Sequence, residues 1–247
     1  MTLPYMKSIS LKDIEQVKLM NRIDTKYCFH ARRLNEILKR ISRFYYILEI
    51  EQKQILSYST TYFDTSLNSM YKAHHNGHLN RYKIRHRTYV DSGISFLEIK
   101  RKNNKGRTIK NRIPTNTEIN AFDHDAQLFL SNNCPFTTND LHPAIRNQFH
   151  RITLVSKSFD ERCTIDFNIN FQNKDQEISL DHLAIIEVKT DGSRANSALK
   201  SLLSSMGIKK TGFSKYCFGR ALTDDNLKHN AFKPKIRRLT KTLTINN

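Results

Sequence analysis

The sequence predicts an α+β fold in which about eight antiparallel strands curl into a barrel with a basic lining, flanked by helices. Three observations predict it. Short runs with period-two alternation dominate the 247 residues, helical periodicity is confined to a few segments, and lysines and arginines recur on alternate strand positions. With only 7 Gly and 5 Pro there is no repeat and no flexible linker, so one domain is expected over residues 1–227, followed by a basic tail over 228–247.

Arg22 to Phe29 alternates and reads as a strand. Ala31 to Ile41 follows as a helix, because Leu34, Ile37, Leu38 and Ile41 share one face. Strands are then expected at Phe44 to Ile50, Tyr58 to Asp64, Arg81 to Val90, Ser95 to Arg101 and Arg107 to Ile113. A helical insert lies near Ser66 to His75, where Gly77 can end it. Glu118 to Leu141 is less regular: Ile119, Phe122, Leu128, Phe129 and Leu130 suggest helix, while Pro135 and Pro143 mark breaks. Strands resume at Gln148 to Ser156, Arg162 to Asn170 and Leu183 to Thr190. Ser193 is expected to cap a helix whose Leu199, Leu202, Leu203 and Met206 face one way before Gly207. Beyond Leu227, Lys233, Lys235, Arg237, Arg238 and Lys241 show no core pattern and read as a basic arm, suited to anionic lipid or a partner protein.

The net charge of +18 calls for an anionic partner, with nucleic acid, membrane surface and polyphosphate as the classes to consider. Half of it sits between Arg81 and Arg112, where 11 Lys or Arg meet only Asp91 and Glu98. Arg81, Lys83, Arg85 and Arg87 fall on one strand face about 6.6 Å apart, where like charges repel by roughly 2.5 kcal/mol at an effective dielectric near 20. An open, screened face makes such a row cheap. An enclosed face makes it costly without anions, and the partly apolar second faces of several strands favour enclosure. A barrel of about eight strands holds one small ligand, and arginine forks with lysine point charges suit phosphate.

Other chemistries are not encoded. The four cysteines are scattered without a CxxC pair, and no GxxxxGK or GxGxxG loop is present. Nor is there an RNA-binding signature with exposed stacking aromatics, so nucleic acid is not the expected partner. No apolar run of about 18 residues exists, and the first twelve residues lack a signal-like stretch, so a cytoplasmic location without a membrane span is expected. His74 and His78 have helical metal spacing but no third ligand nearby, and a helix C-terminus explains them better. Asp64 and Asp166 read as strand-end hydrogen-bonding or salt-bridging groups rather than an acid and base pair.

Nine pieces in order carry a resemblance: Arg22 to Tyr27, Ser59 to Asp64, Ile84 to Arg87, Phe96 to Lys100, Ile109 to Arg112, Phe149 to Arg151, Arg162 to Asp166, Ile185 to Lys189 and Phe213 to Tyr216. Each is expected on a strand or strand end. Together, from about Asn21 to Leu222, they resemble the polyphosphate polymerase domain of the vacuolar transporter chaperone family, within the triphosphate tunnel metalloenzymes of CYTH-like fold. The resemblance implies a tunnel in which Arg85, Arg87, Lys100, Arg151 and Lys215 act on the reacting phosphates. Lys26, Lys110, Arg112, Arg162 and Lys189 would hold substrate, and Glu187 would hold Mn²⁺ or Mg²⁺. ATP and inorganic polyphosphate would be the ligands. Hydrolytic relatives carry an ExExK pattern on the first strand, whereas here Asp24 and Lys26 remain without the glutamates, which favours the polymerase branch. A triphosphatase acting on ATP or inorganic triphosphate, and a non-catalytic binder of polyphosphate or nucleic acid, are the alternatives. For a hydrolase, Glu98 is the carboxylate placed to activate water; pairing with Lys100 or Arg112 across the sheet is its structural role.

Overall fold

A computed structural model describes residues 2–15, 22–116, 122–192 and 197–244. Its strands are β1 (Ser8–Ile9), β2 (Arg22–His30), β3 (Tyr45–Leu48), β4 (Leu56–Asp64), β5 (Arg81–Tyr89), β6 (Ile94–Lys102), β7 (Thr108–Thr115), β8 (His142–Ser156), β9 (Glu161–Gln172), β10 (Glu177–Leu180) and β11 (Leu183–Asp191). The helices are α1 (Leu11–Ile14), α2 (Leu34–Ile41), α3 (Ser69–His75), α4 (His124–Asn133), α5 (Ala198–Ser205), α6 (Lys215–Thr223) and α7 (Lys233–Thr244).

Eight strands form a continuous antiparallel path in the order β2-β11-β9-β8-β4-β5-β6-β7. Short β1, β3 and β10 attach beside it. Among the described residues, β2 and β7 do not pair, so hydrogen bonding does not close the expected barrel. The sheet nonetheless curls. Lys26 on β2 and Lys83 on β5, five places apart in strand order, line one cavity. The outer edge of β2 is partly covered by Lys210, which bridges Tyr27, and by Thr211, whose N–H donates to the Lys26 carbonyl at 2.8 Å.

Strand alternation gives the sheet two distinct faces. On the convex side Ile152, Leu154, Cys163, Ile165, Ala184, Ile186 and Val188 pack beneath α2 and α5, whose Leu34, Ile37, Leu38, Ile41, Leu199 and Leu203 are buried. Each such side chain contributes roughly 1.5–3 kcal/mol of transfer free energy, enough to hold these short helices on the sheet. A second cluster joins α3, α4 and α6 to β4, β5, β6 and the ends of β8 and β9. Gly93, at φ +65°, makes the tight reversal from β5 to β6, a conformation other residues adopt only with strain.

Several expectations are corrected here. The segment read as a basic arm forms α7, with Ile236 and Leu239 packed on the core. Lys215 is the first residue of α6, capped by Ser214, rather than part of a strand end. Ser193 lies outside the described residues, and Ser197 is the residue whose hydroxyl caps α5. Pro143 does not end a helix but sits inside β8, opposite Phe63 where the register with β4 shifts. Among the described residues, no helix is long and apolar enough to cross a membrane.

Candidate functional site: a basic face inside the curled sheet

The register places the charged residues of successive strands on one concave face. Lys26 is opposite Glu187, Lys189 opposite Arg162, Asp166 opposite Arg151, Arg85 opposite Glu98, and Lys83, Lys100 and Lys110 run in a row. Lys215 reaches the same face from the start of α6, where its ammonium pairs with Asp166. Arg112 falls opposite Glu98 on the same face, at its outer margin. It is exposed on the edge strand β7, and its guanidinium lies 4.3 Å over the Phe96 ring.

Carboxylates neutralise part of this face. Arg151 donates to both oxygens of Asp166 at 2.6 and 2.8 Å, a bidentate geometry that holds the carboxyl well below its usual range despite its burial. Glu98 is fully buried and paired with Arg85, at 2.6 Å, and with Lys110. Burial would raise its pKa, but Arg85, Arg87 and Lys110 pull it down to about 2. The expected partners, Lys100 and Arg112, are therefore replaced by Arg85 and the diagonal Lys110. Asp64 serves neither as acid nor as a lysine partner: it accepts from the N–H groups of Thr65, Met70 and Tyr71 and from the Tyr216 hydroxyl, anchoring α3 to α6.

The cations left over define the site's chemistry. Among the described residues, Arg87 and Lys100 have no carboxylate partner; Arg87 donates to the Thr60 hydroxyl at 3.2 Å. Burial and the charges of Arg85 and Arg151 lower Arg87 to about 10. Lys100 is pushed well below its ordinary value by Arg85, burial and Arg87. Burial also depresses Lys189, and lowers Lys215 to about 8 against the opposing pull of Asp166. These groups are held in a state that an incoming anion would relieve. Aromatic rings lie among them: the Phe149 ring is 4.1 Å from the Lys215 ammonium and 5.2 Å from the Arg151 guanidinium, and Tyr58, stacked on Phe149, is 4.9 Å from the same guanidinium.

One end of the face opens into a cavity of about 320 Å³, lined by Asp24, Lys26, Lys83 and Glu187 from the strands, Gly212, Phe213 and Ser214 from the approach to α6, and His74, Phe232 and Lys235. Glu187 has Lys189 at 3.6 Å and Lys26 at 3.9 Å. Burial alone would raise its pKa, but Lys189, Lys26, Arg151 and Lys100 hold it well below the usual carboxylate range, so it is ionised. Lys26 donates to the Phe213 carbonyl at 3.2 Å, and Lys83 to the Ser214 hydroxyl at 2.9 Å.

Lys83, His74 and Lys235 were not singled out from sequence as site residues. Lys83 was legible, because it shares parity with Arg85 and Arg87. His74 reaches the cavity from the last turn of α3, the helix C-terminus expected for it, where burial and the neighbouring Lys83 and Arg81 lower it to about 3, so it is neutral. Among the described residues, no group of three His, Cys, Asp or Glu converges as a metal cage.

The VTC domain model matches residues 21–223, most of the chain. Among solved structures, a candidate adenylyl cyclase from Hippeastrum, described as having a dominant triphosphatase activity, superposes with a TM-score of 0.54 at 14% identity, covering 82% of this chain and 96% of that one. A candidate adenylate cyclase from Bacillus halodurans gives 0.50 at 13% identity over 79% and 96%. At these identities the likeness establishes the fold. No curated protein sequence matches the chain.

Proposed function

Because the chain belongs to the VTC domain family, we propose that it is a polyphosphate polymerase, transferring the γ-phosphate of ATP to the end of a growing inorganic polyphosphate chain with Mn²⁺ or Mg²⁺. The observation that carries this reading is the enclosed surplus of cations around Arg87 and Lys100, together with the commitment of Glu98 and Asp166 to ion pairs. A hydrolase needs a group to position and deprotonate water. Here the two most buried carboxylates of the face are ionised and occupied. A terminal phosphate has a second pKa near 6, so it attacks at neutral pH without a base.

Phosphoryl transfer asks the protein for positioning and charge neutralisation. Lys26, Lys83 and Lys189 would hold the triphosphate along the cavity, and Arg87, Lys100 and Lys215 would face the charge that develops on the transferred group. Arg85 and Arg151, fixed by Glu98 and Asp166, keep the lining rigid and add to its field. The terminal phosphate oxygen forms a bond to the γ-phosphorus, the bond to the β-phosphate oxygen breaks, and ADP leaves. Glu187, with Asp24 in the same cavity, would hold a hard divalent ion, whose oxygen preference suits one or two carboxylates. Such an ion would supply charge neutralisation for the bound phosphates.

The test is the product of incubation with ATP and Mn²⁺, sized on a polyacrylamide gel. Long polyphosphate is expected; free phosphate without chains would identify a triphosphatase, and unchanged ATP a binding domain. Glu187→Gln is expected to abolish metal-dependent turnover with an unaltered far-UV spectrum, and full activity in that variant would remove the metal assignment.

A further inference from the structure

A second basic pocket lies beyond the cavity, on the outer side of the β2 edge. It is lined by Arg33 from the turn before α2, Lys209 and Thr211, and Lys235 and Arg238 from α7. Its volume is about 130 Å³, and no carboxylate lines it among the described residues. Lys209, Lys235 and Arg238 are exposed and Arg33 is half-buried, its guanidinium steered by a 3.0 Å hydrogen bond to the Met206 carbonyl.

Lys235 and Thr211 line both this pocket and the inner cavity. Segment 209–212 is therefore a thin partition, with β2 on one side through the Thr211 to Lys26 hydrogen bond. The Lys235 ammonium lies over it: a Cβ added at Gly212 would stand 3.4 Å from the Lys235 nitrogen. Cations thus continue from Lys26 and Lys83 inside, across Lys235 at the partition, to Lys209, Arg238 and Arg33 outside. That order of cations suits a linear polyanion too long for the cavity.

Resting on the polymerase reading, we propose that the outer pocket is a second phosphate subsite, which holds the part of an inorganic polyphosphate chain that extends out of the cavity past Lys235. The same cations could meet a nucleic-acid backbone. Polyphosphate is favoured because the pocket is continuous with the cavity and its two rings offer no free stacking platform: Phe29 is 1% exposed, and His30 is already stacked on His182.

The double variant Lys209→Gln/Arg238→Gln tests this in the full chain, with far-UV spectra confirming that α7 is retained. Binding of long-chain polyphosphate and of tripolyphosphate is measured by titration calorimetry over a range of salt. The expected result is about fivefold weaker long-chain binding with a shallower salt dependence, and unchanged tripolyphosphate binding. Equal long-chain affinity in wild type and variant overturns the outer subsite while leaving the polymerase reading intact. Wild-type protein that binds neither anion overturns both. Single-stranded RNA binding that depends on the same two residues, with no such dependence for polyphosphate, assigns the pocket to nucleic acid and also overturns the proposal.

Discussion

At Lys100 the charges of Arg85 and Arg87 and the loss of water all oppose the ammonium, while Glu98 and Glu187 favour it. A bound triphosphate reverses that balance, so the same residue that costs stability in the free protein should stabilise the transition state. Lys100→Met is therefore expected to lower kcat by about 10²–10³-fold. It should also raise the free protein's unfolding free energy by about 1 kcal/mol, the direction seen when buried charges give way to apolar groups. Turnover assays and denaturant melts check the two halves, and a destabilised Lys100→Met would contradict the description of the face as under charge repulsion. Glu98 behaves in the opposite sense. Its carboxyl holds a proton less tightly folded, near 2, than its ordinary value of 4.5, so its contribution is complete above about pH 4.5 and is lost as pH falls toward 2. That interval corresponds to ~3 kcal/mol. Unfolding curves from pH 6 to 2.5 should show the loss in wild type, whereas Glu98→Gln should be weaker at pH 6 by 3–5 kcal/mol and flatter with pH.

Among the elements, α6 joins the site to the core and was the least legible. Its Lys215-to-Thr223 stretch contains Gly219, which costs a helix about 1 kcal/mol, and its one clear signal is the Ser214 cap. The glycine is there for closeness: a Cβ at 219 would lie 2.5 Å from a Phe171 ring carbon and 2.7 Å from the Ile145 methyl. Gly219→Ala is expected to cost about 1–3 kcal/mol despite its better helix propensity, read as a lower denaturant midpoint at unchanged m value. An unchanged or higher midpoint would mean that α6 does not press on β8 and β9. By contrast β5 was legible, because Arg81, Lys83, Arg85 and Arg87 alternate with Tyr82, Ile84 and His86 without interruption. The first half of β8 was hidden by Pro143, whose place at a register shift depends on β4, a strand distant in sequence. α7 was hidden because its two inward apolar residues, Ile236 and Leu239, make too short a stripe to outweigh its charge.

For the whole molecule, the alternation of apolar and charged residues was enough to anticipate an antiparallel sheet with a basic concave side, and the ordered motifs were enough to anticipate the family. Which cations are neutralised was not legible. That depends on register and on diagonal contacts, which put Glu98 beside Arg85 and Lys110 and, among the described residues, leave Arg87 and Lys100 without a carboxylate partner. That β2 and β7 stay unpaired among the described residues was hidden for a related reason: closure is decided by total curvature, and Lys210, Thr211 and α7 lie against β2 instead. A molecule organised in this way should bind tripolyphosphate with an affinity that falls as salt rises, the log-log slope growing with the number of contacts. Arg112→Gln, on the exposed edge, should change that slope less than Arg87→Gln.

The central claim is that the inner face joins phosphate to phosphate, and ³¹P NMR of wild-type protein turning over ATP with Mg²⁺ tests it most directly. The account predicts ADP together with a growing resonance of internal polyphosphate groups, both suppressed in Lys100→Met. Release of orthophosphate alone, or internal polyphosphate forming at the wild-type rate in Lys100→Met, would contradict it.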